Sequence, residues 1–496
     1  MSERRQSLLN AIVLGILVAL AYVWIGTDGS WREWGGYRRH YYSRLAEAFL
    51  NGRLSLLTEP SRGILSQPDP YSMAGHTGRD VLFDAVLFNG KYYLYWGPVP
   101  ALVEAAVCLV TGNFHPLYND RPMCVAFAYG MVLVAAILIF QIRDRLFPNQ
   151  LVSPGAVGVL SLAMGAPILM ILANAEVYET AIVAGQFFLL AGILAAWFAI
   201  SPSLAESPSA ANPREKSKML LLALAGICWA AAAGSRVSLP PAVAALAAIT
   251  IWHLWTSSPG NRRNLALPAI SALAATFIAG AGLLAWYNFA RFGSITEFGL
   301  RYQLSGQDQS HPLQSGFLGI QNILFNVDAY LATPPACLHV FPLLYATNCR
   351  TWMDTHFPLP SYFSCEPLVG ILWAQPFLLL APASALFSPS PANKISLSQQ
   401  RSSTRWLAAS LLAASLLGIA PVLLISGSTM RYLLDFVPCF TILAVLGYWQ
   451  ILERLTPHPR IRRMLEYTVT IVVFAQCVVA VQLTLATNAA LLHALF

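Results

Sequence analysis

The sequence predicts an all-α polytopic membrane protein, and three observations predict it. Of its 496 residues 56% are hydrophobic and only 11% charged, less than half the roughly 25% charge of a soluble domain. Mean hydropathy is +0.57. Apolar runs long enough to cross a hydrocarbon core, about 20 residues each, recur along the whole chain. Together these exclude a cytosolic globular domain, an intrinsically disordered chain and a small disulfide-stapled secreted domain.

Eleven spans are expected, near residues 8–26, 122–142, 151–172, 178–200, 219–235, 238–256, 265–289, 366–388, 406–427, 432–453 and 466–488. The first run follows Ser2-Glu-Arg-Arg, as in a signal peptide, but no small-x-small cleavage site follows it. Trp24 and Trp31 read as interfacial anchors, so the run is kept as a span. The chain thus divides into the first span (1–26), a first outer loop (27–121), a bundle of six spans (122–289), a second long outer loop (290–365) and a C-terminal bundle of four spans (366–496).

Charge decides the ambiguous stretch Tyr95–Val110, which is short and contains Gly97, Pro98, Pro100 and Glu104. If residues 95–110 do not span and the N-terminus is inside, the cytoplasmic segments collect 16 Lys and Arg against six Asp and Glu, as the positive-inside rule requires. If they do span, every basic cluster after the first moves outside. The stretch is therefore read as re-entrant or surface-lying, with the N-terminus cytoplasmic and the C-terminus outside a plasma or inner membrane. The net charge of +7 is then a matter of topology and calls for no nucleic acid. Eight cysteines form no CxxC pair; only Cys337, Cys349 and Cys365 share a polar stretch, where one disulfide at most can form.

Two outer loops of this length point to function. In the first, Tyr42, Leu45, Ala46, Phe49 and Leu50 fall at i, i+3, i+4, i+7 and i+8, an amphipathic helix expected to lie flat in the interface, with Gly52 as its C-cap. The Pro-rich run from Glu59 to Tyr71 reads as extended or turn-like, and 201–218 as a cytoplasmic linker.

Ionisable groups near membrane depth are functional candidates. No Asp, Glu or Lys lies in mid-span, which argues against an ion-coupled carrier with a midplane site. Polar residues gather instead at the outer ends. The first loop holds Asp28, Glu33, Asp69, Asp80 and Asp84, followed by Phe88-Asn-Gly-Lys-Tyr-Tyr-Leu-Tyr-Trp96 with Lys91, Tyr92 and Tyr93. Between the third and fourth spans, Glu176 and Glu179 share a helical face as candidate ligands of a divalent metal. Outer-end arginines follow: Arg236, Arg291, Arg301, and Arg431 with Tyr432 and Asp435. Arginines at such a boundary suit phosphate; a carboxylate suits deprotonation of a hydroxyl. Each has a plainer reading beside it. Asp69 before Pro70 starts a turn, Asp80 and Asp84 form a solvated helix face, and Glu176 and Glu179 favour a helix start. Arg236 snorkels, Arg431 pairs with Asp435 one turn on, and the tyrosines form an interfacial belt.

Three segments in this order resemble the GT-C superfamily of membrane glycosyltransferases, in its protein O-mannosyltransferase and aminoarabinose-transferase branch. Tyr41-Tyr-Ser-Arg-Leu-Ala-Glu-Ala-Phe-Leu-Asn-Gly-Arg53 resembles the family's first-loop helix. Residues 88–96 resemble its Asn-Gly-x-x-x-x-Lys-Pro-Pro-Leu-x-Tyr-Trp segment without the Lys-Pro-Pro core, and Arg431-Tyr-Leu-Leu-Asp-Phe-Val-Pro438 its late Arg-Tyr…Pro run. The resemblance implies a GT-C-like fold and transfer of a sugar from a polyprenyl-phosphate carrier, at the outer face, to a lipid, glycan or protein hydroxyl. It requires no metal. The family's Asp-Glu pair before the first-loop helix is replaced here by Tyr37-Arg38-Arg39-His40. The base is therefore sought among Asp84, Asp69 and Asp28, with Arg236, Arg301 or Arg431, aided by Lys91, holding the leaving phosphate. The missing pair also leaves open a non-enzymatic flippase or carrier of lipid-linked sugars.

Overall fold

A computed structural model describes residues 3–34, 40–76, 81–113, 119–201, 211–257, 263–355, 357–386 and 397–495. Asp80, Tyr37 to Arg39 and residues 202–210, half of the expected 201–218 linker, lie outside the described residues, while 211–218 open a helix instead of a linker. Helices dominate, in the order α1 (Glu3–Gly26), α2 (Tyr41–Leu50), α3 (Val99–Thr111), α4 (Arg121–Leu146), α5 (Val152–Ala163), α6 (Ala166–Ala173) and α7 (Val177–Ile200). They continue with α8 (Ala211–Ala233), α9 (Pro240–Thr256), α10 (Arg263–Phe292), α11 (Asn322–Ala332), α12 (Leu397–Leu423), α13 (Val437–Arg454) and α14 (Pro459–Thr487). Strands are short and form four pairs among the described residues, including a hairpin β1 (Val86–Phe88) and β2 (Lys91–Tyr93), and a parallel pair β3 (Ser364–Cys365) and β4 (Gly427–Ser428).

Among the described residues seven segments are long and apolar enough to cross a membrane: α4, α5 with α6, α7, Glu215–Ala233, Ala266–Phe292, Arg401–Leu423 and α14. The chain is thus a mostly helical integral membrane protein. The other four expected spans differ in form. The apolar part of α1 is Ile12–Gly26 and α9 has 17 residues. The 432–453 segment begins as a 3-10 turn, Met430–Asp435, before α13. The stretch 366–388 is not one helix: it consists of an extended piece at Pro367–Leu368, a short helix Ile371–Ala374 and, opening at Pro376, a 3-10 helix Pro376–Leu386. At about 2 Å per residue those 11 residues reach roughly 22 Å.

The broken span α5–α6 shows how a membrane bundle repairs its backbone. Pro167 has no N–H to give the carbonyl of Ala163, and the hydroxyl of Tyr22 on α1 donates to it at 2.7 Å. Gly165 turns its N–H to Leu162, leaving the Ser161 carbonyl to the side-chain amides of Gln375 (3.2 Å) and Gln476 (2.9 Å). In hydrocarbon each orphaned group would cost several kcal/mol, on the order of 2–7. On the outside of the bundle, large apolar side chains such as Leu17, Trp286, Ile471 and Phe474 are exposed, as lipid-facing positions require.

The first long loop has its own core. Tyr41, Tyr42, Leu45 and Ala46 on α2 are buried with Leu87, Tyr92, Leu94 and Trp96 against Val177 and Ala181 of α7. The apolar face of α2 therefore meets protein where the sequence predicted lipid. Gly52 does end it, with φ +68° and the two bonds of a Schellman motif, Gly52 N to Phe49 O (3.0 Å) and Arg53 N to Ala48 O (2.9 Å). At the other end His40 provides no side-chain cap. Asp120, just before α4, supplies it from a distance, accepting from the amides of Tyr42 (3.2 Å) and Ser43 (3.1 Å). The ambiguous stretch becomes α3, whose 13 residues extend about 20 Å, short of a hydrocarbon core.

Candidate functional site

Two cavities, of about 420 and 670 Å³, open between the first loop, the start of α7, the second long loop and the segment before α13. Their common wall contains Asp84, Tyr178, Gly306, Glu366, Thr429 and Arg431. The smaller adds Arg236, Tyr95 and Tyr432 with apolar Leu300, Phe317 and Val422; the larger adds Asn174, Glu176, Glu179 and Tyr345.

Asp84 sits just before β1 with φ +66°, a left-handed conformation rare for a residue with a side chain. The second long loop clamps it there. The Asp84 amide donates to the Leu304 carbonyl at 2.7 Å, Gln303 Nε2 donates to the Asp84 carbonyl at 3.3 Å, and Leu304 N returns to Ala85 O at 2.9 Å. Gln303 also bridges to Tyr178 Oη (3.4 Å). Two loops more than 200 residues apart in sequence thus hold this one carboxylate at the cavity wall.

Arg431, in the 3-10 turn before α13, donates to both oxygens of Glu366 at 2.8 and 3.0 Å and stands 3.8 Å from Glu179. Its guanidinium lies over the rings of Tyr178 (4.9 Å) and Tyr432 (5.5 Å). Arg236, in the turn between α8 and α9, forks onto Asp435 at 3.3 and 2.8 Å, both side chains buried, and covers Tyr432 at 5.2 Å. The one-turn pairing of Arg431 with Asp435 considered from sequence is thus replaced by a bond across the bundle, because the 3-10 turn carries the two side chains to different neighbours.

Of the other candidates only Glu176 and Glu179 line one of these cavities, the larger one; the rest lie elsewhere. Asp28 pairs with Arg121 (2.8 Å) and accepts from Asn488 Nδ2 (2.8 Å), joining α1 to α4 and the C-terminal region. Asp69 caps an exposed turn, accepting from Tyr71 N at 3.1 Å. Lys91 lines a separate surface groove with Arg53 and Glu59. Tyr92 is buried in the loop core, its hydroxyl 3.4 Å from Leu82 N, and Tyr93 packs edge-on to Phe292 at 5.5 Å. Arg301 is exposed and bound to Glu297, also through its Nε at 2.7 Å. Glu176 and Glu179 form a capping box at the start of α7, Glu179 Oε2 accepting from Glu176 N at 3.2 Å. Among the described residues no three His, Cys, Asp or Glu gather as metal ligands. Sequence reasoning missed Glu366, Thr429 and Gln303, which carry no motif. Of the three cysteines that share a polar stretch, Cys349 and Cys365 are bonded, Cα atoms 5.5 Å apart, and Cys337 is free and exposed.

The fold and this cavity pair define a mostly helical membrane protein with an arginine- and carboxylate-lined site. No family model and no curated protein matches the sequence. The chain is similar in structure to the oligosaccharyltransferase of Archaeoglobus fulgidus in the apo form: 12% identity over 97% of this chain and 56% of that one, TM-score 0.49. AglB of the same organism, in complex with an inhibitory peptide and a dolichol-phosphate, is 11% identical over 97% and 55%, TM-score 0.47. ArnT from Cupriavidus metallidurans, bound to undecaprenyl phosphate, is 13% identical over 97% and 77%, TM-score 0.43. The chain spans about half the length of the archaeal enzymes it resembles.

Proposed function

We propose that this protein is a GT-C-type glycosyltransferase that moves a sugar from a polyprenyl-phosphate donor to an acceptor hydroxyl on the outer side of the membrane. The observation that carries the reading is the placement of Asp84, in a left-handed backbone clamped by Gln303 and Leu304, on the wall common to two cavities that Arg431 also lines. Two of the three segments resembling the family reach the smaller cavity, at Tyr95 and at Arg431-Tyr432. Asp84 takes the proton of the acceptor O–H, the oxygen bonds to the anomeric carbon, and the sugar–phosphate C–O bond breaks. Its electron pair leaves on polyprenyl phosphate, whose charge Arg431 holds from the cavity wall, with Arg236 beside it. The apolar lining of the smaller cavity suits the isoprenoid end of the donor, and the more polar larger cavity suits the acceptor. Lys91 and Arg301 have no part in this scheme, and a metal at Glu176 and Glu179 is not needed for it.

The test is release of free polyprenyl phosphate from labelled polyprenyl-phosphate sugars, with an envelope extract as acceptor source. Asp84→Asn is expected to lower turnover by about 10²–10⁴-fold, the usual share of a general base, while carrier binding persists. Asp69→Asn and Asp28→Asn are expected to retain turnover in whatever protein remains folded. Turnover undiminished in Asp84→Asn would remove the assignment. Binding of carrier with no turnover of any donor in wild type would favour the flippase or carrier reading.

A further inference from the structure

Arg431 meets the cavities already holding an anion. Its Nη1 and Nη2 donate to Glu366 Oε2 and Oε1 at 2.8 and 3.0 Å, and the Thr429 hydroxyl donates to Oε2 at 2.8 Å. Three donors from two side chains, two residues apart, converge on one carboxylate. A guanidinium fork with an adjacent hydroxyl is equally the donor set of a phosphate. The two partners are unequal. The side chain of Glu366 is 46% exposed and that of Arg431 20%, so the carboxylate can swing to water while the guanidinium stays, with buried Glu179 still 3.8 Å away.

The backbone around Glu366 is fixed. Its amide donates to Ser428 O at 3.0 Å, β3 pairs in parallel with β4, and Cys365 is bonded to Cys349. With the backbone so held, Glu366 leaves Arg431 by rotation of its side chain, which is 46% exposed. We infer that Glu366 is a built-in competitor: in the free protein its carboxylate occupies, on Arg431 and Thr429, the seat that the phosphate of an isoprenoid phosphate takes when bound. The inference rests on Arg431 as the phosphate-holding residue. A competitor of this kind keeps the donors aligned between turnovers and rejects uncharged lipids, which cannot displace it. It also lowers apparent affinity by the fraction of time the seat is open.

The experiment uses the full chain in nanodiscs, titrated with farnesyl phosphate, inorganic phosphate and farnesol. Glu366→Gln and Glu366→Ala are expected to bind farnesyl phosphate about threefold to tenfold more tightly than wild type, alanine more than glutamine, as a seat closed most of the time becomes open. Inorganic phosphate is expected to gain by a similar factor and farnesol not at all. Equal or weaker binding of farnesyl phosphate in both variants, with unchanged melting temperatures, overturns the inference; so does an equal gain for farnesol, which would mean a steric opening. Arg431→Gln separates the two claims. If it binds like wild type, the phosphate role of Arg431 falls and the inference with it. If it loses binding while the Glu366 variants gain none, only the competitor falls.

Discussion

Asp120 shows how burial and hydrogen bonding compete on one side chain. It lies just before α4, fully enclosed, and burial raises its pKa from 3.8 to about 7 although the amides of Tyr42 and Ser43 pull it down. Glu104, which accepts from the Ser43 hydroxyl at 3.0 Å, adds repulsion. The folded state therefore binds a proton more readily than the unfolded one, so the stability this group contributes is full in acid and falls as pH climbs from about 4 through 7. Asp120→Asn keeps only one of the two acceptors, so it is expected to melt below wild type at pH 5.5 and to recover part of that difference at pH 8.5, where wild type carries the buried charge. A melting difference that does not change between the two pH values would show that Asp120 is not protonated in the fold. Asp84 differs in kind: what singles it out is its backbone conformation and its loop clamp. Arg236 and Asp435 differ again, since each neutralises the other out of water.

At the scale of elements, the periodicity of α2 and its terminating Gly52 were readable in the sequence, because both follow from contacts within a few residues. Its packing face was not, because an apolar stripe is satisfied equally by lipid and by Trp96, whose ring stacks on Tyr41 at 5.8 Å. The α5–α6 break has the same character: Pro167 announces it, but the group that repairs it, Tyr22, lies 141 residues from Ala163. Tyr22→Phe removes that donor and leaves a buried carbonyl unpaired. It is expected to cost about 1–3 kcal/mol, read as a lower melting temperature in detergent with cavity binding intact. No change in melting would mean that another donor or water reaches Ala163.

At the scale of the whole molecule, charge distribution predicts sidedness and the structure supplies a reporter for it. Cys337, in the second long loop, is free and exposed, whereas Cys108, Cys124, Cys228 and Cys439 are buried. A membrane-impermeant maleimide is expected to label Cys337 on intact cells or right-side-out vesicles without permeabilisation, and Cys337→Ser to abolish that labelling. Labelling only after the membrane is opened would reverse the assigned orientation and place the cavities on the cytoplasmic side. The same loop, through Gln303 and Leu304, closes on Asp84, so its sidedness is that of the proposed chemistry.

The sequence by itself determined the class of this protein, the positions of most apolar helices, the ends of α2 and the arginine-bearing segments. Those features arise from local composition, from periodicity, and from the cost of placing charge in hydrocarbon, all of which act on residues close in the chain. Only the tertiary structure decided which carboxylates meet which arginines. Asp435 goes to Arg236 across 199 residues, and Glu366, placed by sequence in an expected span, goes to Arg431 across 65. It also decided that, of the three proposed bases, Asp84 reaches the cavities while Asp28 and Asp69 are held at a helix junction and a surface turn. Such pairings depend on where folded loops converge, and spacing along a chain carries no record of that distance.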